Sequence, residues 1–188
     1  MAETLRSFIA FELPEKIISS IRKVQEEIKA YGFAMRWVRP ENIHLTLKFL
    51  GNINQADIPE IRKRMSETAE KYSPMRLAAK GIGVFPGIKR PRVLWVGLNG
   101  QIDSLIGLQK TIDEKLEAIG LPRENRAFKG HLTLARVKGH IDSNRLGEAM
   151  KEVGGFESEA FIVDQIVLFK SELKPGGSVY TKLMSISL

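Results

Sequence analysis

The sequence predicts an α+β fold: a bilobal, duplicated unit with pseudo-twofold symmetry. Each lobe is expected to be a mainly antiparallel sheet with helices on its outer face, and the active-site cleft to lie between the lobes. Three observations predict this. The tetrapeptide His44-Leu45-Thr46-Leu47 returns as His131-Leu132-Thr133-Leu134, an offset of 87 residues. Each half reads as strand, helix, strand, helix, strand, with the tetrapeptide on the second strand. Neither half looks able to bury its apolar face alone, so one domain over 1–188 is expected, with approximate repeats 1–90 and 91–188 and no linker.

The elements follow from local pattern. Ser7 to Phe11 is an apolar strand closed by Leu13-Pro14, and Pro14 suits the first turn of a helix. Ile17, Ile18, Ile21, Val24 and Ile28 recur at helical spacing until Gly32 ends the helix. Arg36 to Val38 is a short extended piece, and Ile43 to Leu50 a strand stopped by Gly51-Asn52. A helix is predicted over 56–72, a strand over 75–85, and a basic turn over 86–91. The second half offers strand 93–96, helix 102–119, strand 131–137, helix 143–153, one or two strands over 156–169, and a last strand 179–186. The offset of 87 also pairs Ile9 with Val96 and Arg39 with Arg126.

Composition bounds the function. The 188 residues contain no cysteine, which excludes disulfides and thiolate metal sites. Met1 to Glu12 lacks the pattern of a signal peptide, and no apolar run reaches the roughly 18 residues a membrane span needs. A cytoplasmic protein with no membrane partner is expected. The formal charge of +7 favours polyanionic partners, nucleic acid among them.

The two tetrapeptides carry chemistry because strand side chains alternate. His44 and Thr46 share one face while Leu45 and Leu47 anchor the other, and the same holds for His131, Thr133 and their leucines. A lone histidine on an apolar strand is ordinarily a satisfied core residue. Two of the chain's three histidines in matching positions point instead to a site. Two imidazoles and two hydroxyls across a pseudo-twofold suit attack of water on a phosphodiester. One imidazole accepts a proton, the other donates one, and the hydroxyls steady the non-bridging oxygens. This needs neither metal nor cofactor. His140 lies in a turn and takes no role.

With these motifs, the chain resembles the two-histidine phosphoesterases, and among them the RNA 2',3'-cyclic phosphodiesterases, also called the 2'-5' RNA ligase family. The flanks resemble the family too: Arg6 to Ala10, Arg36 to Asn42, Lys48 to Gly51, Gly83 to Pro86, Pro91 to Trp95, Phe128-Lys129, Leu134 to Arg136, Leu168 to Leu173, and Tyr180. One departure is Gly130, where the family often has proline. The resemblance implies opening of a terminal 2',3'-cyclic phosphate on RNA to a 2'-phosphate. It implies His44 as proton donor, His131 as proton acceptor, and Thr46 and Thr133 as phosphate ligands.

Arg136 is a further phosphate candidate, although strict alternation sets it on the wrong face unless a bulge re-aims it. Lys48 alternates onto the face of His44. The turns 87–92 and 170–177 are basic enough to contact an RNA backbone. Among Phe8, Phe11, Trp37 and Phe128, one is a candidate to stack on the terminal base, with core packing the fate of most. RNA ends, tRNA fragments included, are the expected substrate, and a monomer the expected state. The alternatives are 2'-5' ligation, a small cyclic nucleotide as substrate, or an RNA-binding module whose histidines only touch phosphate.

Overall fold

A computed structural model describes residues 4–188, so the first three positions of the expected repeat 1–90 lie outside the described residues. Its strands are β1 (Thr4–Phe11), β2 (Met35–Trp37), β3 (Leu45–Asn54), β4 (Met75–Phe85), β5 (Val93–Gly100), β6 (Leu132–Val137), β7 (Phe161–Val163), β8 (Gln165–Lys174) and β9 (Gly177–Ser187). The helices are α1 (Glu15–Lys29), α2 (Ile58–Ala69), α3 (Ile102–Glu117) and α4 (Ser143–Glu152). These elements match the sequence reading in order, with one change of consequence. The strand expected to stop at Gly51 runs on to Asn54, because Gly51 adopts a positive φ of 70° beside a register shift and lets pairing resume.

The strands form one path, β7-β4-β5-β6-β3-β1-β8-β9, with β2 paired to β6, and every pairing is antiparallel. The path does not follow the sequence repeats. β4 comes from the first half yet pairs with β5 and β7 of the second. β8 comes from the second half yet pairs with β1 of the first. Each wing of the sheet therefore contains strands from both halves. The wings meet at a single ladder pair, Leu45 opposite Leu132.

The strand pairings also correct the equivalence of the first strands. Phe11 lies opposite Leu45 as Val96 lies opposite Leu132, so Phe11, not Ile9, is the partner of Val96. The two positions differ by two residues, which preserves the face and hides the slip from a pattern reading.

The core gathers the backs of both wings and the apolar faces of the helices. Ile17, Ile21 and Ile28 of α1, Ile61 of α2 and Leu105, Leu108 and Ile112 of α3 are buried there with Leu45, Leu132 and Leu134. Two polar groups reach into this core from the helices. Gln25 of α1 is fully buried and donates through Nε2 to the carbonyls of Val38 (2.9 Å) and Leu134 (3.0 Å). Asp113 of α3 accepts from Lys48 of β3 in an ion pair whose side chains are only 8% and 2% exposed. Lys48 donates also to the Pro122 carbonyl (2.7 Å). In both places a helix of one half braces the strand that carries the other half's histidine.

Candidate active site

The Leu45–Leu132 pair sets the geometry of the site. Extending its antiparallel register by one residue either way lays His44 beside Thr133 and Thr46 beside His131. The two leucines are fully buried, so the two histidines and two threonines share the opposite face. Each histidine is thus adjacent to the threonine of the other motif.

Both imidazoles are held in the same way. His44 Nδ1 donates to the Asn42 carbonyl and His131 Nδ1 to the Lys129 carbonyl, each at 2.7 Å. A carbonyl can only accept, so the proton sits on Nδ1 and Nε2 presents a free lone pair. Burial holds both imidazoles below their usual pKa, although the bond to the carbonyl opposes it in each. The further contributions differ. For His44 the remaining influence is the charge of His131, whereas His131 feels the cations Arg136 and Lys129.

The surroundings differ in the same sense. Phe8 stacks on His44 with ring centres 4.7 Å apart, and Tyr180 meets it edge-on at 5.3 Å. A cavity of about 190 Å³ opens here, lined by Glu12, Glu41 and Phe169 as well as these rings. His131 faces the edge of Phe85 at 5.0 Å and Trp95 at 6.3 Å. Lys129 Nζ lies 4.7 Å from the Trp95 ring centre and 5.5 Å from that of Phe85. Gly83 makes room for this wall, since a Cβ there would fall 2.1 Å from the indole. A larger, shallow depression of about 500 Å³ at Tyr31, Asp142 and Arg145 contains neither motif.

A pair of β-bulges decides the fate of the residues after each motif. Against β5, Thr133 pairs with Trp95 but Ala135 with Leu94, so Leu134 is the extra residue. Against β1, Thr46 pairs with Ala10 but Lys48 with Ile9, so Leu47 is extra in the same way. Each bulge inverts the alternation beyond it. Arg136 consequently lies opposite Val93 on the face of Trp95 and His131, exposed, and it joins the site. Lys48 moves the other way. Expected on the face of His44, it is turned into the core and bound to Asp113. The site position equivalent to Arg136 is occupied by Phe49, 61% exposed and opposite Phe8.

Other sequence candidates fall elsewhere. Phe11 is a core residue, and Phe8 is buried against His44. Trp37 pairs with Ala135 on the core face, with Lys29 Nζ over its ring, and Phe128 packs against the core. His140 and Lys89 are exposed, whereas of the turn expected over 170–177 only Pro175 and Gly176 turn, since Lys170 to Lys174 pair with β9 as the end of β8. Arg39 and Arg126 share no role: Arg39 donates to the Gly176 carbonyl, Arg126 to Glu124. Phe49, Phe85, Trp95, Lys129, Phe169 and Tyr180 carried no assigned role in the sequence reading. Each of the six lies in a stretch that resembles the family, which was the available signal. Gly130, the departure from the family pattern, is tightly enclosed: a Cβ would meet Leu98 Cδ1 at 3.1 Å and Leu105 Cδ2 at 3.2 Å.

Comparison with known proteins decides the family. The model of the LigT like Phosphoesterase family matches twice, over residues 11–95 and 96–180. The chain belongs to the LigT-like phosphoesterases. Its relatives include the RNA 2',3'-cyclic phosphodiesterase of Aquifex aeolicus, 34% identical over 95% of this chain and 95% of that one. That of Methanothermobacter thermautotrophicus is 31% identical over 95% and 96%. A crystal structure from Thermus thermophilus superposes with a TM-score of 0.81 at 27% identity, covering 98% of both chains. The structure of E. coli LigT complexed with 3'-AMP gives a TM-score of 0.70 at 25% identity over 99% of both. The duplicated α+β architecture with its antiparallel sheet is the LigT-like one, and the paired motifs of this LigT-like chain each fall within one of the two matched units. No helix among the described residues is long and apolar enough to cross a membrane.

Proposed function

We propose that this enzyme opens the 2',3'-cyclic phosphate at the end of an RNA, leaving a 2'-phosphate, by acid–base catalysis between His44 and His131 without a metal. The observation that carries the reading is the single Leu45–Leu132 rung with both Nε2 lone pairs free on its far side. His131 acts as base. Burial, and beyond it the charges of Arg136 and Lys129, disfavour its protonated form, which suits a proton acceptor. Its Nε2 takes a proton from water as the water oxygen bonds to phosphorus. His44 lacks such neighbours, and the anionic phosphate favours its protonated form on arrival. Its Nε2–H gives the proton to the 3' oxygen as that bond to phosphorus breaks. Thr46 and Thr133 donate to the non-bridging oxygens, and Arg136 balances their charge. The names of the relatives and the basic composition support RNA ends as substrate, tRNA fragments among them. The reading is of a cytoplasmic monomer.

The test is to incubate an RNA with a 2',3'-cyclic end in excess EDTA and map the product phosphate. Ring opening to the 2'-phosphate is expected. His44→Ala and His131→Ala should each lose about 10²- to 10⁴-fold in turnover. A 3'-phosphate product, a requirement for metal, or full activity in both variants overturns the proposal.

A further inference from the structure

Arg36 of β2 stands directly opposite Arg136 of β6 in the antiparallel ladder. Residues so opposed have Cα atoms roughly 4.5–5.5 Å apart and project from the same face of the sheet. Here that face is the catalytic one, since Arg136 is flanked on its other side by Val93, two residues from Trp95. Both arginines are exposed. Among the described residues, neither guanidinium lies within salt-bridge distance of a carboxylate. Like charges directly opposed across a ladder destabilise the pairing, so the fold gains nothing from this pair. A bound anion would reverse the sign of that interaction, and two forked guanidinium groups suit a phosphodiester.

Position along the strand says which phosphate. The cyclic phosphate belongs between the two histidines, at the Leu45–Leu132 rung. Arg136 lies beyond Thr133 and the bulge, and Arg36 lies one strand further out. The pair is therefore displaced from the reacting phosphorus by about three ladder steps, roughly 10 Å along the strand, which a long arginine side chain shortens by leaning back toward the rung. That displacement suits the neighbouring phosphate of a strand bound along β6.

We propose that Arg36, with Arg136, binds the phosphodiester joining the terminal nucleotide to the one before it, so that the enzyme prefers oligonucleotides to cyclic mononucleotides. The proposal rests on the cyclic phosphodiesterase reading. Arg36 is the residue particular to this subsite, because Arg136 also serves the reacting phosphate.

Three substrates separate the possibilities: adenosine 2',3'-cyclic phosphate, the adenylyl dinucleotide ending in the same ring, and that dinucleotide with an uncharged methylphosphonate linkage. The wild-type enzyme is expected to show kcat/KM about tenfold to a hundredfold higher on the charged dinucleotide than on the mononucleotide, as befits a charge-assisted contact. The methylphosphonate should lose most of that gain. Arg36→Gln should bring the ratio close to one, Arg36→Lys should restore part of it, and the loss should appear mainly in KM. Equal kcat/KM on all three substrates overturns the proposal. So does an Arg36→Gln variant that slows all substrates by one factor and keeps the ratio. Failure to open any of the three rings is a different result, because it removes the underlying phosphodiesterase reading itself.

Discussion

The two halves build the same device from different materials. Each presents a histidine on Nδ1–H to a carbonyl, a threonine two residues on, and a bulge at the following leucine. Around His44 the neighbours are aromatic rings, and the position past the bulge is Phe49. Around His131 stand Lys129 and Arg136, with the indole of Trp95 where the first half has Ala10. Symmetry supplies two imidazoles presented alike, and the shells around them are where the two halves differ.

The most drastic way to test the comparison is to separate the halves. We propose that they are repeats within one bilobal domain and not folding units. Chains 1–90 and 91–188 expressed apart should show no cooperative unfolding transition, because β4 and β8 lose the partners they find in the other half. A sharp transition from either fragment breaks the idea. The braces beneath the bulges come next. Asp113→Leu leaves the Lys48 ammonium buried and unpaired, and should cost about 3–5 kcal/mol in urea unfolding. Gln25→Leu removes neutral donors only and should cost about 1–3 kcal/mol. Adding Lys48→Met to Asp113→Leu should recover much of the loss.

Smaller effects probe the site. Thr46→Val and Thr133→Val should each lower kcat by about 10²-fold, near-equal losses being the mark of a shared phosphate. A large inequality would mean that the pseudo-twofold does not extend to the bound phosphate. The pH profile should respond least. Both histidines are held below 6.5, so the optimum of kcat/KM should lie on the acid side of that value. Arg136→Gln removes a positive charge beside His131 and raises its pKa. The limb on which activity falls with acid then moves to higher pH, while the alkaline limb set by His44 stays. Movement of the alkaline limb instead would exchange the two roles. Because folding favours the neutral imidazoles, their contribution to stability is complete above 6.5 and declines as pH falls toward the folded values.

The motif pairs were legible because the period of a strand is short and their leucines announce which face is buried. The exchange of β4 and β8 was not, since no local pattern says which strand a strand will join. The bulges were equally silent: neither Leu47 nor Leu134 is a glycine or otherwise unusual. That silence explains why Lys48 was assigned to the wrong face, and why Arg136 needed a bulge the sequence could not locate. The rings beside His131, Phe85 and Trp95, come from the hairpin β4–β5, and those on the His44 side, Phe169 and Tyr180, from the hairpin β8–β9; no local pattern says which histidine either hairpin will flank.

The bulge at Leu134 makes this strand tolerant of spelling, and tolerant of losing the one residue that the ladder leaves unpaired. Exchanging Leu134 for another aliphatic residue keeps the count, and Arg136 still emerges beside His131. Deleting that one codon would return the strand to simple alternation, with Ala135 still opposite Leu94, Arg136 still on the face of His131, and one buried side chain lost. Among variants of this gene, loss of that extra residue should thus cost core packing and leave the arginine beside the second histidine.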